Sequence, residues 1–482
     1  MENQDFISNL SDDMKIMILS KLCIDEAVRC SILSQKWNGL WKQISHMELN
    51  LKRMVKPFTQ LLESRKARTI PDFGAIAPPM LKSVSACNTL VYRMIFNTHS
   101  DCMSSCRIKH FQKSLAFGDV ENWVNILVAR NTALKDLSLE CVPHCEELTD
   151  KFVSEEYIYV PSFTHGVFEF LSSLELTNYT LDSSLPFGKC NQLKKLRMRR
   201  IYLDDVTLGG ILENCVVLEN FSLLESTGFK RLLIVKSTLR VLQLQALCVD
   251  DIQLCCDNLE VLFIDSVICP VHNVDISSPN LRTCHSYSNS MYARMLSAET
   301  GKSILKTHEF LSRCSGLVGF RMTNIFENVS TLCIDLDLTH MIEACVLSYF
   351  LKLCSNLQVI RIALPVFRPR IQGSSSSKHG HYSHFILSLW EWREVCKCIG
   401  QKLKSVHIRG FRGRKEEVEV VKYLITRATM MKRITIICTD SKEAAENLLS
   451  LPMASANLSI NLKLNANNPM DEFAEHQKEF HL

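Results

Sequence analysis

Leu193-Lys194-Lys195-Leu196-Arg197-Met198-Arg199 is one copy of a short pattern, L-x-x-L-x-L with close variants, that returns along the middle of the chain. Copies begin at Leu171, Leu193, Leu218, Leu239, Leu259 and Leu281, so successive starts lie 22, 25, 21, 20 and 22 residues apart. Leu134, Leu137 and Leu139 precede the series. Leu357-Ile360-Ile362, Leu403-Val406-Ile408 and Met431-Ile434-Ile436 follow at wider gaps, which predicts insertions or degenerate copies. A period of this size marks a stack of small units, none of which buries its apolar face alone.

The spacing is that of leucine-rich repeats, and the fold expected is α/β: a horseshoe solenoid in which each copy supplies one short strand. The leucines point into the stacked core and alternate positions point to solvent on the concave side. That outward set is Ser173, Glu175 and Thr177; Lys195, Arg197 and Arg199; Asn220, Ser222 and Leu224; Val241, Gln243 and Gln245; Val261, Phe263 and Asp265; Thr283, His285 and Tyr287. Lys195, Arg197 and Arg199 form a basic step. Val241, Val261, Phe263 and Tyr287, with His285 among them, form an apolar patch. Together they are the candidate concave face for a protein target, the step meeting an acidic segment and the patch supplying an anchor. The alternative is a solvated charged face beside partial core closure.

Composition narrows the rest. The chain has 482 residues, 46% hydrophobic and 22% charged, and no apolar run long enough to span a bilayer. Met1 to Leu10 carries Glu2 and Asp5 and no basic segment followed by an apolar stretch, so the expected location is cytoplasmic or nuclear. A formal charge of +4 is mild for this length, and neither nucleic acid nor membrane is an expected partner. The 21 cysteines then predict buried thiols rather than a disulfide framework. Their closest groupings, Cys102 with Cys106, Cys255 with Cys256 and Cys396 with Cys398, lack the spacing of a structural zinc site.

Ahead of the repeats, residues 5 to 44 predict three short helices. Asp12 and Asp13 open the first and Asp25 and Glu26 the second, carboxylates suiting the unpaired N–H groups of a helix start. Val28, Ile32 and Leu33 form the apolar side of the second. Leu33, Trp37, Leu40, Trp41 and Ile44 fall at offsets 0, 4, 7, 8 and 11, one stripe of a third helix. So much apolar surface on so small a unit predicts a partner.

Leu10-Ser11-Asp12-Asp13, Ile18-Leu19-Ser20-Lys21-Leu22, Ala27-Val28-Arg29-Cys30-Ser31-Ile32-Leu33-Ser34-Gln35-Lys36-Trp37 and Leu40-Trp41 closely resemble the F-box. The resemblance implies docking to a Skp-type adaptor and through it to a cullin-RING ubiquitin ligase. It also implies that Leu10, Ile18, Leu19, Leu22, Val28, Leu33, Trp37 and Trp41 supply adaptor-facing and internal apolar surface. The family usually has proline at the place of Ser11, an aliphatic at that of Lys15, and often an aliphatic or aromatic at that of Lys21. A lost proline raises the entropy of the free loop, so these departures predict a weaker grip.

Behind the repeats, Pro365 to His384 contains Pro369, Gly373 and four consecutive serines and predicts a flexible loop or linker. His379, His381 and His384 lie in it without neighbouring carboxylates or thiols and are read as solvated. Leu403 to Gly413 then predicts a strand and turn, Lys415 to Arg427 a helix with Val418, Val421, Leu424 and Ile425 on one face, and Lys432 to Ile437 a strand. That order resembles the FBD region of plant F-box proteins with leucine-rich repeats. The domain reading is F-box 5–50, connecting segment 51–104, repeats 105–364, loop 365–384, FBD-like repeats 385–460 and polar tail 461–482.

No phosphate-binding glycine loop, nucleophile elbow or H-E-x-x-H motif is present, so the expected role is non-catalytic. The leading reading is a substrate-recognition adaptor of a Skp-cullin-F-box ubiquitin ligase. The alternatives are a repeat protein with a degenerate F-box acting outside a ligase, and a ligand-sensing F-box receptor. No cofactor is expected, although the basic step would admit an inositol phosphate or other small ligand.

Overall fold

The computed structural model describes residues 7, 9–50, 99, 102–111, 119–130, 133–142, 163–265, 267, 269, 274–286, 326–339, 341–364, 390, 395–439 and 442–464. Most of the connecting segment, the loop 365–384 with its three histidines, and Tyr287 lie outside the described residues. The chain divides into two compact units, Met1–Lys230 and Arg231–Leu482.

The first unit opens with helices α1 (Asp12–Leu19) and α2 (Ile24–Arg29). Six parallel strands follow: β1 (His46–Asn50), β2 (Ser105–Phe111), β3 (Asp136–Val142), β4 (Ser173–Thr180), β5 (Lys195–Tyr202) and β6 (Asn220–Leu224). Each pairs with its predecessor in sequence order. The register aligns Leu49, Ile108, Leu139, Leu176, Met198 and Leu223 in one row. All six are fully buried, and each such side chain stabilises the fold by about 1.5–3 kcal/mol relative to exposure. The leucine period of the sequence is therefore the spacing of neighbouring strands in this sheet.

In the second unit the strands are β7 (Arg231–Val235), β8 (Val241–Gln245), β9 (Asp251–Cys255), β10 (Val261–Asp265), β11 (Val274–Ser277) and β12 (Thr283–Ser286), then β13 (Thr331–Asp335), β14 (Val359–Ala363), β15 (Ser405–Phe411), β16 (Arg433–Cys438) and β17 (Ser459–Leu464). β8, β10 and β12 to β17 make one parallel sheet in that order, whose buried row includes Leu242, Leu262, Cys284, Leu332, Ile360, Val406 and Ile434. β7, β9 and β11 form a second parallel sheet, which the sequence reading did not anticipate. Its signal was the alternation of Leu232 with Ile234 and of Ile252 with Leu254, all buried. β17 carries regular structure to Leu464, inside the stretch read as a polar tail.

Strand entry is repetitive. The Ser45 carbonyl accepts from the N–H groups of Ser104 and Ser105, the Ser104 carbonyl from Lys135 and Asp136, and the Lys135 carbonyl from Ser172 and Ser173. In the second unit Arg240 serves Glu260 and Val261, Glu260 serves Arg282 and Thr283, and Arg282 serves Ser330 and Thr331 in the same way. An asparagine ladder runs beside it. Asn258, Asn280, Asn328 and Asn356 donate their side-chain N–H to the carbonyls of Ser237, Asp257, Pro279 and Glu327 at 2.7, 2.8, 2.7 and 2.9 Å. Each bond satisfies a carbonyl that lies outside the strands.

A small buried residue stands three positions before five of the repeat leucines: Cys190, Cys215, Cys256, Ser278 and Cys354 precede Leu193, Leu218, Leu259, Leu281 and Leu357. Much of the cysteine usage is thereby explained as packing, and 12 of the 17 described cysteines are buried. Burial pushes the thiols of Cys106, Cys284 and Cys398 up to about 12, far from a reactive thiolate.

Residues 405–438 follow the sequence expectation closely, with β15, the helix Lys415–Arg427 and β16 in order. Gly410 takes φ +79°, and a Cβ there would collide with the Leu364 carbonyl oxygen, so the strand end needs glycine. Buried Glu417 accepts from the N–H groups of Arg412 (2.8 Å) and Arg414 (3.3 Å), closing the helix start. Tyr423 packs its ring on Trp390 with centroids 5.5 Å apart.

Candidate functional site

Ser11 begins the amino-terminal module by accepting the Met14 N–H at 3.4 Å. It is the N-cap of α1, a role proline's side chain cannot fill, which offsets the loop entropy that a proline would have saved. α1 then has two unlike faces. Leu19 and Lys15 turn inward, while Met14, Met17 and Ile18 face solvent.

The single third helix expected from the tryptophan stripe is not formed. Short 3-10 turns at Cys30–Ile32, Gln35–Trp37 and Leu40–Gln43 take its place. Ser34 is extended at φ −164°, ψ 165° and Gly39 is left-handed at φ +77°, and either conformation interrupts helical hydrogen bonding. The breaks turn the stripe apart. Trp37, Leu40, Trp41 and Ile44 are buried, whereas Leu33 is 71% exposed and its neighbour Ile32 is 85% exposed. The apolar side expected for α2 is corrected likewise: Ile24 and Ala27 are its buried residues, with Val28 half-buried.

Of the residues the sequence nominated here, Leu19, Trp37 and Trp41 are internal, Leu10, Leu22 and Val28 are half-buried, and Ile18 and Leu33 are exposed. Ile7, Met14, Met17 and Ile32 join the exposed apolar set and were missed. Met14 and Met17 were findable, because offsets 0, 3 and 4 place them together with Ile18 on one side of α1.

The departures at Lys15 and Lys21 resolve differently. Lys15 is only 3% exposed, with Nζ 3.2 Å from an Asp12 carboxylate oxygen and 6.0 Å from the centre of a Trp37 ring. An ion pair and a cation–π contact thus replace an aliphatic contact. Lys21 is exposed.

The nominated sheet residues lie in different units. Lys195, Arg197 and Arg199 occupy one side of β5 in the first unit, and the basic step is largely matched from within. Arg197 lies 3.5 Å from Glu175, and Arg199 and Arg200 lie 2.9 and 2.7 Å from Glu225. Burial pushes the Glu225 carboxyl upward, but hydrogen bonds and charge from Arg200 and Arg199 outweigh it and hold the group below its ordinary value. Burial lowers the Arg197 guanidinium, against the pull of Glu175.

In the second unit, the expected solvent-facing patch is buried. Val241 is half-buried, Val261 is buried, and Phe263 and His285 are 4% and 1% exposed. The register places Gln243, Phe263, His285 and Cys333 in one row, opposite in alternation to the leucines. Adjacent strands about 4.8 Å apart bring the two rings face to face, with centroids 4.2 Å apart and planes 14° apart. Alternation thus assigned the side of the sheet correctly, but it carries no information on whether that side is open.

Comparison with known proteins follows this division. Residues 7–47 match the F-box domain model and residues 391–436 match the FBD model. An F-box protein of Arabidopsis thaliana is 26% identical over 296 residues, covering 58% of this chain and 54% of that protein. The chain thus spans about half the length of that relative. An FBD-associated F-box protein of the same plant is 22% identical over 496 residues, covering 95% of this chain and 94% of its own. An F-box/LRR-repeat protein, also from Arabidopsis thaliana, is 24% identical over 281 residues, 58% of this chain and 50% of its own.

The chain carries an F-box and an FBD, the pair of domains found in plant F-box/FBD proteins.

F-box proteins are generally non-catalytic adaptors, and in this F-box/FBD protein Ile7, Met14, Met17, Ile18, Ile32 and Leu33 are exposed within the F-box match. The FBD match covers the helix Lys415–Arg427, which buries Val420, Val421, Leu424 and Ile425 and leaves Val418 half-buried, and most of its two flanking strands. No helix of the described residues is long and apolar enough to cross a membrane.

Proposed function

We propose that this F-box/FBD protein is the substrate-recognition subunit of a Skp-cullin-F-box ubiquitin ligase. Its F-box docks a Skp-type adaptor, and its parallel strands, read as the rungs of a leucine-rich-repeat solenoid, hold a target protein. The observation that carries the reading is the apolar surface left outside on the F-box by Met14, Met17, Ile18, Ile32 and Leu33. Apolar side chains grouped in so small a module cost solubility unless a partner covers them. The shared entry carbonyls and the asparagine ladder support the solenoid part of the reading, since stacked repeats reuse one contact from copy to copy.

The ligase reading makes the protein's work one of proximity, raising the effective concentration of a target's lysines near a charged ubiquitin-transfer enzyme. The direct test is co-purification of the full chain with a recombinant Skp-type adaptor. A stable complex, lost on Leu33→Asp, is expected. A chain that stays monomeric beside saturating adaptor overturns the ligase reading. Proximity labelling with the proteasome blocked, comparing the intact chain with one lacking residues 1–50, then identifies the target.

A further inference from the structure

Lys21 continues the exposed line of α1. From Met14, the residues Met17, Ile18 and Lys21 fall at offsets 3, 4 and 7, one side of a helix. The helix itself ends at Leu19, but the Lys21 N–H still bonds to the Ile18 carbonyl at 3.1 Å, which keeps the turn in line. An apolar stripe therefore ends in a cation.

Three other cations of the F-box are engaged from within. Lys15 lies against Asp12 at 3.2 Å, Arg29 lies 3.9 Å from Asp25, and Lys36 donates to the Asn9 side-chain oxygen at 3.0 Å. Among the described residues no acidic side chain pairs with Lys21. A partner covering Met14, Met17 and Ile18 must meet that ammonium at the border of the covered area. An apolar surface there would strip water from an unpaired charge, which disfavours binding, whereas a carboxylate would pair with it. An aliphatic residue at this place makes no such demand.

We infer that Lys21 is a specificity residue of the F-box, selecting a Skp-type adaptor that presents an aspartate or glutamate against the carboxy-terminal end of α1. The inference rests on the adaptor reading above. Charge at the border of an interface acts mainly on association, so its signature is kinetic and salt-dependent.

The test measures association and dissociation rates of the full chain with a recombinant Skp-type adaptor at low and high salt. Variants are Lys21→Glu, Lys21→Leu and, as a control for docking, Leu33→Asp. Lys21→Glu is expected to slow association on the order of tenfold at low salt, with the difference shrinking at high salt. Lys21→Leu is expected to bind more weakly than the unaltered chain and to lose part of its salt dependence. A complex weakened by Leu33→Asp but indifferent to Lys21→Glu, or tightened by Lys21→Leu, overturns this inference alone. No complex with the unaltered chain overturns the adaptor reading and this inference together.

Discussion

The F-box and the second unit treat their apolar residues in opposite ways. In the F-box, Ile18, Ile32 and Leu33 lie outside while the two tryptophans lie inside. In the second unit each strand of the large parallel sheet lends its apolar row to the next, and the helix Lys415–Arg427 buries Val420, Val421, Leu424 and Ile425. A stack grows its core with every repeat, whereas a module of some 40 residues runs out of interior and leaves a side for a partner. Substitutions in the second unit should therefore show up as stability, and substitutions of the exposed F-box residues as affinity.

The largest effect is expected at Phe411, fully buried at the end of β15 within the FBD match. Phe411→Ala should cost about 3–5 kcal/mol in urea unfolding followed by circular dichroism, with adaptor affinity at native conditions unchanged. Leu33→Ala should do the reverse. Its effect on unfolding should stay within about 0.5 kcal/mol, while adaptor affinity drops roughly tenfold, or about 1.4 kcal/mol, by calorimetry. If Leu33→Ala unfolded the chain as readily as Phe411→Ala, the contrast between the regions would fail.

Smaller effects sharpen it. Asn280→Ala removes one rung of the ladder and should cost about 0.5–1.5 kcal/mol, with no change in adaptor binding. The smallest concerns Glu417. Burial pushes its carboxyl above the ordinary value, against the pull of the Arg412 and Arg414 N–H groups and charges. A raised folded value means the folded state takes up the proton more readily than the unfolded state. Ionised Glu417 therefore detracts from stability above its folded value, and the loss is relieved as pH falls through that value. Stability of the natural chain relative to Glu417→Gln should rise on acidification, measured as the shift in urea midpoint between neutral and mildly acidic buffer.

The second half of the chain was more legible than the first. Gly410, Gly413 and the apolar spacing from Val418 to Ile425 are local signals, and the strand, turn and helix they mark all form. The tryptophan stripe misled because helical spacing was continuous through Ser34 and Gly39, whose backbone conformations break the helix into turns. β7, β9 and β11 were passed over because their apolar pairs lie between the stronger leucine copies.

The amino-acid sequence by itself determined the period of the strands, the side of the sheet on which each residue stands and the presence of an F-box, because repeat spacing, alternation and a motif are properties of order along the chain. Only the tertiary structure decided which residues stay in water. It buried Phe263 and His285 against each other, matched Arg199 and Arg200 to Glu225, drew Lys15 beneath Trp37 and left Ile32, Leu33 and Lys21 outside. Exposure depends on what packs over a side chain from elsewhere in the fold, and periodicity along one strand or helix does not encode that.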